Sequence, residues 1–82
     1  MRLPRDISGA ELAARLRQYG YEFTWQTGSH LRLSSSAKDR EHHITIPAHK
    51  ELKVGTLNAI LGDVAAYLQM DRAKLVETLF RQ

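Results

Sequence analysis

Apolar residues along this chain change their spacing twice, from helical to alternating and back to helical, and the changes mark out its elements. Ile7 and Leu12 flank Ser8 and Glu11, a hydrophobic staple around a capping box, so a helix begins at Gly9. Leu12, Leu16 and Tyr19 recur along it at helical spacing, Arg15 and Arg17 lie off that stripe, and Gly20 is placed to end it in a left-handed cap. Tyr21, Phe23 and Trp25 then alternate with Glu22, Thr24 and Gln26, the period of a strand with one buried face. After a turn at Thr27-Gly28, Leu31 and Leu33 alternate with His30 and Arg32, so a second strand buries the leucines and puts His30 beside Arg32 on the opposite face. Residues 34–41 are polar and read as a loop. His42, Ile44 and Ile46 alternate with His43 and Thr45 in a third strand that stops at Pro47, with the isoleucines inward and His43 outward. Past an irregular polar stretch, Thr56 can cap a helix carrying Leu57, Ile60, Leu61, Val64 and Leu68. Asp71 can cap a last short helix with Leu75, Val76, Leu79 and Phe80 on its apolar side.

The order is helix, three strands, helix, helix: an α+β architecture in which two main helices cover one face of an antiparallel sheet. The two periods point Leu12, Leu16, Tyr21, Phe23, Leu31, Leu33, Ile44, Ile46, Leu57, Ile60, Leu61 and Val64 inward as the core. The length of 82 residues suits one domain, residues 1–82, and leaves no room for a cofactor domain beside a substrate domain. No repeat and no long linker interrupts it.

Twelve Lys and Arg against nine Asp and Glu give a formal charge of +3, a mild excess that suits a polyanionic partner without requiring one. The absence of cysteine excludes disulfides, thiolate zinc sites and a thiol nucleophile, and fits a reducing compartment, so a cytoplasmic location is expected. The start, Met1 to Asp6, has no signal-type apolar stretch, and no apolar run is long enough to cross a bilayer; no membrane association is expected.

Candidate chemistry concentrates in the strands, since all four histidines fall between His30 and His49. Histidine is the side chain able to take or give a proton near neutral pH, and His30 stands outward next to Arg32. A metal site built from His30, His42, His43 and His49 is conceivable, but Asp39, Glu41 and Glu51 nearby follow no recognised ligand spacing, so neither metal nor cofactor is expected. Ser29 cannot share a strand face with its neighbour His30, which leaves Gly28 and Ser29 to shape the turn. His49 reads as a structural residue whose ring bonds the following backbone. Arg32, Lys38, Arg40, Lys50 and Lys53 surround the histidine segment and can cradle a phosphate backbone.

Gly20-Tyr21-Glu22, Gly28-Ser29-His30, Ile46-Pro47-Ala48-His49, and Gly55-Thr56-Leu57 followed by Ile60-Leu61 occur in one order over residues 8–68. In these motifs the chain resembles the HicA family of small toxins, the RNA-cleaving halves of bacterial toxin-antitoxin pairs. The resemblance implies a fold like a double-stranded-RNA-binding domain, an mRNA endoribonuclease whose catalytic histidine is His30, and a HicB-type antitoxin that binds the toxin and covers that residue. The family usually carries a basic residue where this chain has Trp25, an aromatic that can stack on a base instead. No function is carried onto residues 71–82. The competing readings are a non-catalytic RNA-binding module of the same fold, which needs the cations and tolerates loss of the imidazole, and an interaction domain whose sheet edge receives a partner strand.

Overall fold

Ser8 starts the first helix by accepting from the Glu11 amide at 3.0 Å while the Glu11 carboxylate accepts from the Ser8 amide at 3.2 Å, so the capping box is formed in both directions. The computed structural model describes residues 3–81; Met1, Arg2 and Gln82, and with them part of the reading of the chain's start, lie outside the described residues. Helix α1 spans Gly9–Leu16 and tightens into a 3-10 turn over Arg17–Tyr19 that ends at Gly20 with φ of 86°. Strands β1 (Glu22–Thr27), β2 (His30–Ser35) and β3 (His42–Pro47) form an antiparallel sheet in the order β1-β2-β3. Helices α2 (Val54–Leu68) and α3 (Arg72–Phe80) follow. This is the α+β layout expected, consistent with a double-stranded-RNA-binding-domain fold extended by one helix.

Leu31 and Leu33 of the central strand face Ile46 and Ile44 of β3, and these four pack with Leu12, Leu16, Tyr21, Leu57, Ile60, Leu61 and Val64 into one cluster. Three departures from the sequence pattern matter. Phe23, expected in the core, is 56% exposed: it pairs with Leu33 on the helix side, but on the outer strand, where nothing packs over it. The register of β1 shifts between Phe23 and Trp25, so a bulge at Thr24 turns Trp25 to the face opposite Phe23. Helix α2 starts at Val54 rather than after Thr56, its N-cap Lys53 makes no side-chain cap, and Asp71 occupies the N-cap of α3 likewise without a capping bond.

Helix α3 buries Leu75, Val76 and Leu79 and is tied to α1 by a hydrogen bond from the Arg15 guanidinium to the Leu79 carbonyl at 2.7 Å. Leu52, in the stretch that looked merely irregular, is also buried, and its amide donates to the Ile7 carbonyl at 2.9 Å. Beside it the Gly9 amide donates to the His49 carbonyl at 3.0 Å, and the start of α1 lies so close to β3 that a methyl group on Gly9 would run into the Pro47 carbonyl. Gly9→Ala is expected to lower folding stability by about 1 to 3 kcal/mol, the usual range for overpacking, as measured by urea denaturation.

Candidate functional site

The turn before β2 decides where His30 stands. Gly28 has φ of 54°, a left-handed conformation that glycine adopts without penalty, and a Cβ there would meet no atom within 4 Å, so the need for glycine is one of backbone alone. The Ser29 carbonyl accepts the Ala48 amide at 2.6 Å, which carries the β2-β3 ladder one step past His30 and Pro47. Gly28 and Ser29 thus hold the positions assigned to them as turn residues.

Because Leu31 and Leu33 face the helices, His30, Arg32 and Ser34 project from the other side of the sheet. Their cross-strand partners share that side: Thr27, Trp25 and Glu22 on β1, Pro47, Thr45 and His43 on β3. Neither α1 nor α2 covers this open face. There the Arg32 guanidinium donates to the Thr45 hydroxyl at 3.1 Å, the Ser34 hydroxyl and His43 Nδ1 share a hydrogen bond of 2.6 Å, and His43 Nε2 lies 3.6 Å from the Glu41 carboxylate. Trp25 is 56% exposed beside them.

The cations do not form one cradle. Lys50 and Lys53 follow β3 in the segment that begins next to Ser29, at the same end of the sheet as His30. Lys38 and Arg40 belong to the loop at the far end of β2, a strand length or about 17 Å away. That loop is pinned to α2: the Tyr67 hydroxyl accepts from the Lys38 amide at 2.9 Å and donates its one proton to the Arg40 carbonyl at 2.5 Å, with the Ser35 carbonyl beside it at 3.3 Å. Since the C-terminal part of α2 lies at that far end, its N-terminus with Lys53 points back toward the end that carries His30.

The histidines also separate. Among the described residues, the rings engaged in side-chain hydrogen bonds are those of His42 and His43. His30 and His49 are exposed, and what anchors His49 is its carbonyl under Gly9 rather than the ring bond expected for it. No group of three or more His, Asp or Glu side chains able to hold a metal ion occurs among the described residues. His42 is stacked on Tyr67, with centroids 4.7 Å apart, and its Nδ1 lies 2.6 Å from the Tyr21 hydroxyl. Burial pushes the Tyr21 phenol well above its usual range, so the phenol keeps its proton where it meets His42 Nδ1. Burial lowers the His42 pKa from the usual 6.5, with His43 and Arg40 acting the same way and Asp63 opposing.

Two groupings were not read from the sequence, the Ser34-His43-Glu41 chain and the Tyr21-His42-Tyr67 cluster. The first depends on which residue of β2 faces which residue of β3, which a polar loop between them does not reveal, and the second joins residues before β1, at the start of β3 and on α2 that are distant in sequence.

A family model described as the HicA toxin of bacterial toxin-antitoxin matches residues 9–65, well over half of the chain. The chain belongs to the HicA toxin family. It is therefore a toxin of a bacterial toxin-antitoxin system, with an antitoxin as its partner. No curated protein and no solved structure matches it. The matched span runs from the first residue of α1 into α2 and takes in the open face of the sheet, whereas α3 lies beyond it and supplies core residues to this HicA toxin. No helix among the described residues is long and apolar enough to cross a membrane.

The His42 cluster sets a pH dependence. The folded toxin holds the His42 proton less tightly than the unfolded chain, so between the lowered value and 6.5 the unfolded state binds more protons and stability falls as the pH falls. Urea midpoints are expected to decrease from neutral to about pH 5, and His42→Gln is expected to flatten that slope relative to the parent.

Proposed function

We propose that this toxin is an endoribonuclease that cleaves mRNA in the cytoplasm without a metal ion, with His30 as the proton-transfer group, and that a HicB-type antitoxin restrains it by covering that residue. The observation that carries the reading is the placement of His30 in a chain of this family: an exposed imidazole on the uncovered sheet face, at a turn-fixed strand end, sharing that face with Arg32.

In the chemistry that this arrangement suits, the imidazole removes the proton of a ribose 2′-hydroxyl, O2′ attacks the adjacent phosphorus, and the bond to the 5′-oxygen breaks as that oxygen takes up a proton. The products are a 2′,3′-cyclic phosphate and a free 5′-hydroxyl. Lys50 and Lys53, from the same end, supply positive charge for the phosphorane, and Arg32 contacts the RNA beside it. Lys38 and Arg40, at the far end, are assigned to holding the flanking RNA backbone. His30 alone does not account for both proton transfers, so positioning of the substrate carries part of the rate.

His30→Ala is expected to cut RNA cleavage by a factor of about 10² to 10⁴ and to abolish growth inhibition. The variant is expected to stay folded by circular dichroism and to bind RNA nearly as well as the parent, because an exposed strand residue contributes little to the core. If it cleaves as fast as the parent, the catalytic assignment fails and the non-catalytic RNA-binding module becomes the better reading. Cleavage is also expected to persist in excess EDTA and to leave cyclic-phosphate ends, whereas loss in EDTA with recovery on adding magnesium or zinc contradicts the metal-free mechanism.

A further inference from the structure

A shallow depression of about 270 Å³ lies on the open face, lined by Thr24, Trp25, Arg32, Ser34 and His43. Its composition is unlike a track for phosphates. One side is a half-exposed indole, and another is the Arg32 guanidinium, steadied through Nη1 by the Thr45 hydroxyl. The rest is the hydrogen-bonded Ser34-His43 pair, backed by the Glu41 carboxylate. The depression exists because of the bulge in β1. Without the extra residue at Thr24, Trp25 would face the helices; with it, the indole comes opposite Arg32, and the Thr24 hydroxyl donates to the Arg32 carbonyl at 3.0 Å to hold the strand there.

We propose that this depression is a nucleobase subsite that takes one unpaired base of the RNA, guanine by preference, next to the phosphodiester that meets His30. The inference rests on the RNA-cleaving reading above and adds what that reading lacks, a group that reads the base. An exposed indole gives a base a flat partner to stack on, whatever the sequence. The guanidinium fork adds discrimination, since guanine presents N7 and O6 as adjacent acceptors that match two parallel N–H donors. The hydroxyl-imidazole pair offers a further donor or acceptor to the remaining edge of the base. Arg32 stands two residues from His30 on the same face, about 7 Å along the strand, so a base held there belongs to a nucleotide at or beside the bond to be cut.

Trp25 is the chain's only tryptophan, so its fluorescence reports the subsite directly. The probes are fully 2′-O-methylated pentanucleotides UUXUU with X as G, A, C or U, which cannot be cleaved through a 2′-hydroxyl. The oligomer with guanine is expected to quench Trp25 at a concentration about ten-fold below that needed for the all-uridine oligomer. Arg32→Lys is expected to remove that preference while keeping part of the affinity, whereas a residue that touches only phosphate would weaken all four oligomers alike. With a dye-labelled guanine oligomer, Trp25→Ala is expected to bind about ten-fold more weakly by polarisation, with an unchanged circular dichroism spectrum. Equal quenching by all four oligomers, stronger quenching by adenine, or quenching by the purified antitoxin and by no oligomer overturns the proposal. Because the probes are inert to cleavage, the two readings fail separately. Loss of base preference with cleavage intact removes only the subsite, and guanine preference without any cleavage of RNA removes only the nuclease.

Discussion

Burial of Leu31 and Leu33 is the constraint on which the rest of the toxin depends. Both sit on the central strand, opposite Ile46 and Ile44, and each of the four gains roughly 1.5 to 3 kcal/mol by leaving water. A slip of one residue in β2 would expose its leucines and press His30 and the Arg32 guanidinium into the apolar layer, where an unpaired charge costs several kcal/mol more. No attraction between functional groups is needed to set His30 and Arg32 side by side on the open face. Apolar burial one residue out of step with them does it.

This constraint also explains what was legible in the sequence. The phase of β2 could be read because leucine and polar residues alternate without a break, and the start of α1 because Ser8 and Glu11 cap each other locally. The fate of β1 could not. Its alternation of Tyr21, Phe23 and Trp25 is as regular as that of β2, yet only Tyr21 is buried, since β1 is an outer strand and a bulge falls between the other two aromatics. A bulge is decided by pairing with the neighbouring strand, which leaves no period in the chain itself. The open-face contacts of Ser34 and His43 and the burial of Leu52 were hidden for the same reason: each is settled by a partner distant in sequence.

The two ends of the sheet divide the labour. At one end, Tyr67 on α2 gathers the β2-β3 loop through hydrogen bonds to Lys38 and Arg40 and stacks on His42, whose own partner is the buried Tyr21. A histidine in that setting is kept neutral and occupied, which is what structural use of an imidazole requires. At the other end, Gly9 closes on Pro47 and His49, and Leu52 reaches back to Ile7, so the segment after β3 is tied to the start of α1, and its Ala48 amide bonds the Ser29 carbonyl of the β1-β2 turn, while His30 and His49 remain exposed. Chemically identical side chains a few residues apart are thus sorted by environment, one kind fixed in packing and the other presented to solvent.

The openness of the face limits how the proposed chemistry can work. Solvent screens the charges of Arg32, Lys50 and Lys53 over a Debye length of about 8 to 10 Å at ordinary salt, and the remaining loop cations sit a strand length away, so long-range attraction of a net +3 chain selects no particular RNA. Discrimination on such a surface has to come from short-range contacts, stacking and paired hydrogen bonds, which screening barely affects. Trp25 and the Arg32 fork are the groups on this face suited to make them, and they lie along the same strand pairing that carries His30. A face without walls is also simple for a protein to cover. On the proposed reading, an antitoxin laid across β1 and β2 would block the imidazole and the base-reading groups in one contact.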